Sequence, residues 1–457
     1  MVGSLLLVLI VAAGLFVVSG GPGAGSPAAS GDSSPRASAS TLAGATGGPT
    51  PTGRPTVVPP TASPTASPTA RPTETPSPSP SGSAAPTTVA PALAANLQRT
   101  LDRYAVKYRL PGASVTITWA DGRSWTGVTG FADVKARRPV TPDTVFAIAS
   151  MTKTFTAALI LGLVDDGRLS LDTKVAKLLP SVRLGKPGVP IPAGITVRML
   201  LDHTSGLADF FFGKGIDAAL NARRGATWTA AQALAYVGKP LGKPGRSWHY
   251  SNTNYLLLGL VAEKVGGAPF AKLVRQRLFT PLGLKDASIQ GAEPARGPLA
   301  MGYYYASSSP SARPILLADA RRTIVPFTSV VTAAGPAGNV AATSADLAAW
   351  ARALYGGAVL RPETLALAIG DSKLTAPYKP YVAYGLGVQV TRVAGHRALG
   401  HSGRFIGVRG ELRYLPASGL AIAIIANQNG VDVRPLTAKL VALALPPAPP
   451  ASPTPAP

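Results

Sequence analysis

Three short polar groupings follow one another along the chain: Ser150-Met151-Thr152-Lys153, Tyr250-Ser251-Asn252 and His401-Ser402-Gly403. A serine and a lysine three residues apart on a helix share one face, so the Lys153 side chain can reach the Ser150 hydroxyl. An ordinary hydroxyl is a poor nucleophile and needs a nearby base. A lysine that is partly desolvated and crowded by cationic or hydrogen-bonding groups loses its proton near neutral pH and can be that base. Tyr250 adds a second titratable oxygen, and Asn252 a neutral amide of the kind that holds a lysine and a substrate carbonyl in place. The chemistry these types point to is acyl transfer through a serine. Ser-x-x-Lys alone is common by chance and usually marks a solvated helix face. The conjunction carries the reading, because each grouping occurs once and they stand 100 and then 151 residues apart in a fixed order.

The elements that must position these groups give an α+β outline. Residues 113–119 and 124–130 alternate around Asp121-Gly122 and predict a β-hairpin. Ser150 opens an apolar helix that stops near Gly167. Residues 171–367 read mostly as helices and loops, with 255–265 and 344–355 the clearest helical runs. Strand patterning returns at 398–401, 408–415 and 420–426, the last two joined by a turn at 416–419.

At these residues the chain resembles the serine β-lactamase and penicillin-binding superfamily, in particular its class C β-lactamase, D-alanyl-D-alanine carboxypeptidase and family VIII esterase branch. The stretches SMTKTFTAALILGLVDDGRLSLDTKVAKLLP from Ser150, LLDHTSGL from Leu200, PGRSWHYSNTNYLLLGLVAEKVGG from Pro244, AGNVAATSADLAAWARAL from Ala337 and GHSG from Gly400 carry the likeness across most of 93–447. The resemblance implies one antiparallel sheet, made by the N-terminal hairpin and the final strands and flanked by the first and last helices. An inserted, mainly helical subdomain completes the fold, and the site lies in the seam. It also implies catalytic roles for Ser150, Lys153 and Tyr250, with Asn252, His401, Gly403 and Arg404 binding substrate or the oxyanion. Ser150 would attack an amide, lactam or ester carbonyl while Lys153 and Tyr250 relay its proton to the leaving group. The oxyanion would sit between the backbone N–H groups of Ser150 and Arg404, and water would then attack the acyl-enzyme with Tyr250 as its base.

The sequence departs from part of that superfamily in the third grouping, where many members carry Lys-Thr-Gly. The Lys-x-Gly runs present, Lys186-Pro187-Gly188 and Lys243-Pro244-Gly245, precede Tyr250 and contain proline, which suits loops. His401 therefore stands in the lysine's place, as it often does in the carboxypeptidase and esterase branch, and argues mildly against an efficient β-lactamase. Gly403 is expected to leave room for an acyl group passing along the strand. Arg404 either narrows the cleft and binds a substrate carboxylate or turns its guanidinium to solvent.

Composition sets the domain boundaries. Forty-five prolines and 49 glycines are too many for one packed domain of 457 residues, and the excess lies in 21–92, a Pro/Ser/Thr/Gly/Ala-rich linker with nothing periodic to bury. Residues 1–20 read as a signal peptide or an N-terminal membrane anchor, 93–447 as the serine hydrolase domain and 448–457 as a Pro-rich tail. The protein is therefore expected outside the cytoplasm, secreted or membrane-anchored. No cysteine occurs, which excludes disulfides and thiolate chemistry. The four histidines have no metal-ligand spacing, so no metal and no cofactor are expected.

A formal charge of +23, carried by the catalytic region, favours anionic surroundings such as a wall polymer or phospholipid headgroups. No recognition helix or stacking signature accompanies the cations, so nucleic acid is not expected as a partner. The substrate would be a small molecule or a peptidoglycan peptide. A class C-like β-lactamase, and a non-catalytic wall- or peptide-binding protein on the same fold, are the alternatives. Asp202, His203 and Ser205 invite comparison with a catalytic triad, but they are crowded into one turn and are expected to be structural. Phe210-Phe211-Phe212 is either a core plug or an apolar wall of the cleft.

Overall fold

In the computed structural model, residues 88–309, 311–318, 320–370, 373–375 and 383–445 are described. The expected leader, nearly all of the linker and the C-terminal tail lie outside these residues. The first helix, α1 (Pro91–Tyr108), begins two residues inside the segment that composition assigns to the linker, because a proline at the first helical position keeps its fixed φ and loses no hydrogen bond. Its buried Leu97, Leu101, Tyr104 and Ala105 form one stripe.

The expected hairpin is β1 (Gly112–Thr118) and β2 (Ser124–Asp133), paired antiparallel. After it come the helices of the insertion, of which three frame the site: α2 (Thr152–Asp165), α3 (Asn252–Gly266) and α4 (Ser344–Tyr355). The chain then returns to the sheet through β3 (Gln389–Val393), β4 (His396–Phe405), β5 (Val408–Leu415) and β6 (Leu420–Ala426), and closes with α5 (Arg434–Ala444). Two short pairs flank β3, and Arg138–Pro139 flanks β2, so the sheet runs 373–374, 383–384, β3, β4, β5, β6, β1, β2, 138–139. It is antiparallel throughout.

Side chains alternate across a strand, so each face of the sheet has its own core. Ile422 and Ile424 of β6 join Val115 and Ile117 of β1 beneath α1 and α5. Ala421, Ala423 and Ile425 face the helical insertion. All seven residues of β6 are buried, as expected for a strand covered on both sides. Within the insertion, residues 152–161 of α2 are buried without a break. Phe155 there stacks on Trp350 of α4 at 4.1 Å between ring centroids and meets Phe279 edge-on at 5.4 Å. Truncating an aromatic so enclosed costs about 3–5 kcal/mol. Phe210 and Phe211 are core residues at 0% and 2% exposure, whereas Phe212 is exposed at 62%, which settles the aromatic run as a plug with one protruding end. Among the described residues no helix is long and apolar enough to cross a membrane.

Candidate active site

Ser150 lies in a 3-10 turn, Ala149–Met151, immediately before α2. The helix begins at Thr152 rather than at Ser150. Ala149 has φ of 51°, a left-handed conformation that an alanine adopts only under constraint. The constraint comes from the short strand Val340–Ala342: Ile148 N–H donates to Val340 O at 3.0 Å, and Val340 N–H donates to Thr152 Oγ1 at 3.1 Å. The nucleophile candidate is thus held on both sides by the backbone of Val340, 188 residues beyond Thr152, and these two hydrogen bonds help to offset about 1–3 kcal/mol of strain.

Lys153 is fully buried. Its Nζ lies 3.1 Å from Ser150 Oγ, 2.7 Å from Asn252 Oδ1 and 2.7 Å from the carbonyl oxygen of Ala337. Burial lowers its pKa to about 7, against an upward pull from the Asp209 carboxylate. A neutral amine has two N–H bonds and one lone pair. Asn252 Oδ1 and Ala337 O accept only, so they take the two hydrogens, and the lone pair is left for the Ser150 hydroxyl.

Asp209 was not legible in the sequence. Its fully buried carboxylate accepts the Asn252 side-chain Nδ2–H at 2.6 Å and the Asn252 backbone N–H at 3.1 Å through Oδ2, and the Phe211 N–H at 3.0 Å through Oδ1. Burial raises its pKa, and those N–H groups and Lys153 oppose the rise. Thr253 clamps the loop that delivers it, accepting from Phe210 N–H and donating to Ala208 O, on either side of Asp209.

Aromatic rings wall the lysine. Its Nζ lies 5.1 Å from the Tyr250 ring centroid and 5.3 Å from that of Tyr255. His203 packs on Tyr250 at 4.4 Å, and its Nδ1 accepts the Ser251 N–H at 3.2 Å. The turn holding His203 forms no triad: Asp202 accepts from Thr204, and Ser205 donates to Asn254. His401 is buried on β4. Its Nδ1–H donates to Ser402 O at 2.6 Å, so its Nε2 accepts from Tyr384 Oη at 3.0 Å. Burial and the proximity of Lys153 hold the pKa of both histidines well below the usual value, so each is a neutral ring.

Gly403 is required for a different reason from the one its sequence position suggests. A Cβ there would lie 2.2 Å from the Ile148 carbonyl oxygen, so the glycine lets β4 press against the turn that carries Ser150. Opposite it on β5 stands Gly410, where a Cβ would meet Met151 Cε at 2.5 Å. Arg404, next along β4, points to the other face, beside its cross-strand partner Arg409. Its guanidinium is half-buried there, with Nε lacking a partner, and burial followed by Arg409 lowers its pKa. The guanidinium is therefore neither turned fully to solvent nor directed at the Ser150 turn. Its backbone is better placed. Ser402 N–H points toward β3, where Gln389 Oε1 accepts it at 2.8 Å, and Arg404 N–H, two residues on, points the same way past the Gln389 start of β3.

The far face supports the same strand. Gln389 Oε1 also accepts from Arg413 Nη2 at 3.1 Å, Arg413 pairs with Glu411 at 2.6 Å in full burial, and Thr437 of α5 donates to Glu411 at 3.0 Å. Among the described residues no three histidine, aspartate or glutamate side chains cluster as metal ligands.

Comparison with known proteins finds relatives across the described domain. The family model described as Beta-lactamase matches residues 95–445. Penicillin-binding protein 4 of Amycolatopsis lactamdurans is 29% identical over 375 residues, spanning 78% of this chain and 92% of that protein. A D-stereospecific amidohydrolase from Streptomyces sp. is 31% identical and superimposes with a TM-score of 0.65, covering 76% of this chain and 97% of its own. The D-amino acid amidase of Ochrobactrum anthropi SV3 is 26% identical with a TM-score of 0.66, covering 77% and 98%.

Proposed function

The chain belongs to the β-lactamase family, and from that premise we propose that it is an exported serine hydrolase that forms an acyl-enzyme on Ser150. A hydrolase acting on amide or ester carbonyls is what the family relationship supports. Within that class we favour a D-alanyl-D-alanine carboxypeptidase-like or related D-specific amidohydrolase activity over β-lactam hydrolysis. The similarity to an amidohydrolase and an amidase named for D-configured substrates supports this choice, as does a neutral histidine where many β-lactamases carry lysine.

The observation that carries the proposal is the wiring of Lys153. Two acceptor-only oxygens at 2.7 Å leave its lone pair to Ser150 Oγ at 3.1 Å. Ser150 Oγ attacks the carbonyl carbon as its proton passes to Lys153 Nζ, and the carbonyl π pair moves to oxygen. The oxyanion is held by the Ser150 and Arg404 N–H groups. Collapse expels the leaving group, which receives the proton from Lys153 by way of Tyr250. Water then repeats the sequence on the acyl-enzyme. General-base assistance of this kind contributes about 10²–10⁴ in rate.

We place the catalytic domain at 93–447, carried on the linker 21–92 behind an export or anchoring segment, where its positive charge suits an anionic wall or membrane surface. The test is intact mass of the domain after exposure to benzylpenicillin and to 4-nitrophenyl acetate, with Ser150→Ala alongside. Adduct or turnover that disappears in the variant is expected, with a long-lived penicillin adduct marking the carboxypeptidase-like branch. Equal turnover by Ser150→Ala would overturn the reading.

A further inference from the structure

We propose that Asp209 is a positioning residue for the base: by accepting both N–H groups of Asn252, its carboxylate fixes the amide with Oδ1 toward Lys153 and so directs the amine's lone pair to Ser150. The inference rests on the acyl-enzyme reading above and adds a residue to it.

An amide can be turned over at little cost unless its neighbours distinguish oxygen from nitrogen. Among the described residues around Asn252, only Asp209 does so. Lys153 could accept from Nδ2 with its lone pair or donate to Oδ1, so either orientation would satisfy it. A carboxylate accepts only, and Oδ2 of Asp209 receives both the side-chain Nδ2–H at 2.6 Å and the backbone N–H at 3.1 Å. The amide oxygen must then face Lys153, at 2.7 Å. With Asn252 turned over, Lys153 would spend its lone pair on Nδ2–H and present a hydrogen to Ser150, and the base would be lost. The carboxylate is itself fixed, through Oδ1, by the Phe211 N–H at 3.0 Å and by the Thr253 clamp on the same loop.

Among the described residues the same carboxylate is the one negative group acting on Lys153, and it pulls the lysine pKa upward. The other titratable groups around the lysine are His203, His401, Tyr250 and Tyr255. The histidines are held neutral by burial and by Lys153 itself.

The test measures the pH dependence of kcat/KM for 4-nitrophenyl acetate in the wild type, Asp209→Asn, Asn252→Ala and the double variant, each checked by thermal melting, with Ser150→Ala as the background. In Asp209→Asn a single amide oxygen replaces two acceptors: with the nitrogen toward Asn252 that side chain is driven to turn over, and with the nitrogen toward Phe211 the loop loses its anchor, so in either case Asn252 is no longer held in one orientation. The expected result is a loss on the order of 10²-fold, an acid limb displaced to lower pH because the carboxylate's pull on Lys153 is gone, and no further loss when the substitution is made on Asn252→Ala. An unmoved limb, or losses that multiply in the double variant, would overturn the proposal. If Asp209→Asn does not fold, Asp209→Ser, which keeps a hydroxyl acceptor, is read by the same two criteria. Turnover that survives Ser150→Ala would instead remove the acyl-enzyme reading, whatever Asp209 does.

Discussion

Tyr384 donates its hydroxyl hydrogen to Nε2 of His401 across 3.0 Å, leaving the imidazole neutral with both nitrogens engaged. The site face of β4 therefore presents an uncharged ring at this position. Tyr384→Phe removes the donor and leaves a buried acceptor unpaired. The expected cost is about 1–3 kcal/mol of stability, read from the urea midpoint at constant m-value.

Lys153 should matter to stability as well as to chemistry. Lys153→Met replaces a buried amine by an apolar side chain of similar length, so acylation by 4-nitrophenyl acetate falls by about 10²–10⁴. The melting temperature falls, because Asn252 Oδ1 and the Ala337 carbonyl oxygen are left buried without a donor, at about 1–3 kcal/mol each. Lys153→Arg also abolishes acylation, since a guanidinium stays protonated and cannot accept the serine proton. A rise in melting temperature for the methionine variant would contradict this account.

Gly403→Ala should damage both fold and rate. The added carbon would lie 2.2 Å from Ile148 O, so β4 must withdraw from the Ser150 turn. Overpacking of this kind costs about 1–3 kcal/mol, and a displacement on the order of 1 Å at a reacting group costs about 10² in rate. Chemical denaturation and acylation kinetics on one preparation would show whether the two losses occur together.

Stability should rise with pH between 6 and 8. His203 and His401 have native pKa values well below 6.5, and Lys153 has one of about 7 against 10.5. Below each ordinary value the unfolded chain binds a proton that the native state refuses, so stability is lost as pH falls through 6.5, and the lysine contributes in the same sense above pH 7. Asp209 and Asp346, raised from 3.8 to about 6, act in the opposite sense, chiefly between those values. Melting temperatures at pH 6, 7 and 8 check the slope, and Lys153→Met should flatten its upper half.

The serine, lysine, tyrosine and asparagine groupings were legible because each is a local spacing, and the hairpin because alternation around Asp121-Gly122 is local too. Asp209 was not, since nothing in Leu207-Ala208-Asp209-Phe210 distinguishes it until Thr253 folds that loop against the start of α3. Ala337 serves through its carbonyl, which no side chain announces. Tyr384 reaches His401 only once the sheet is assembled. Gly403 stands out in the sequence as room for an acyl group, whereas the close approach it permits is to the Ile148 carbonyl, a backbone contact that strand patterning does not reveal. Arg404 faces the side that strand alternation dictates, a point obscured in the sequence by interest in its charge.

The pairing of β1 with β6 places Ala113 opposite Ala426, about 310 residues later in the chain. The middle of the sheet therefore cannot close until the last strands have left the ribosome, and the closure entropy of so long a loop makes the step slow. Until then α1 and the hairpin have neither β6 beside them nor α5 above them, and their apolar faces have nothing to pack against. A nascent chain with this topology cannot complete its central sheet until nearly all of it has been made, so assembly of that sheet is a late event in folding.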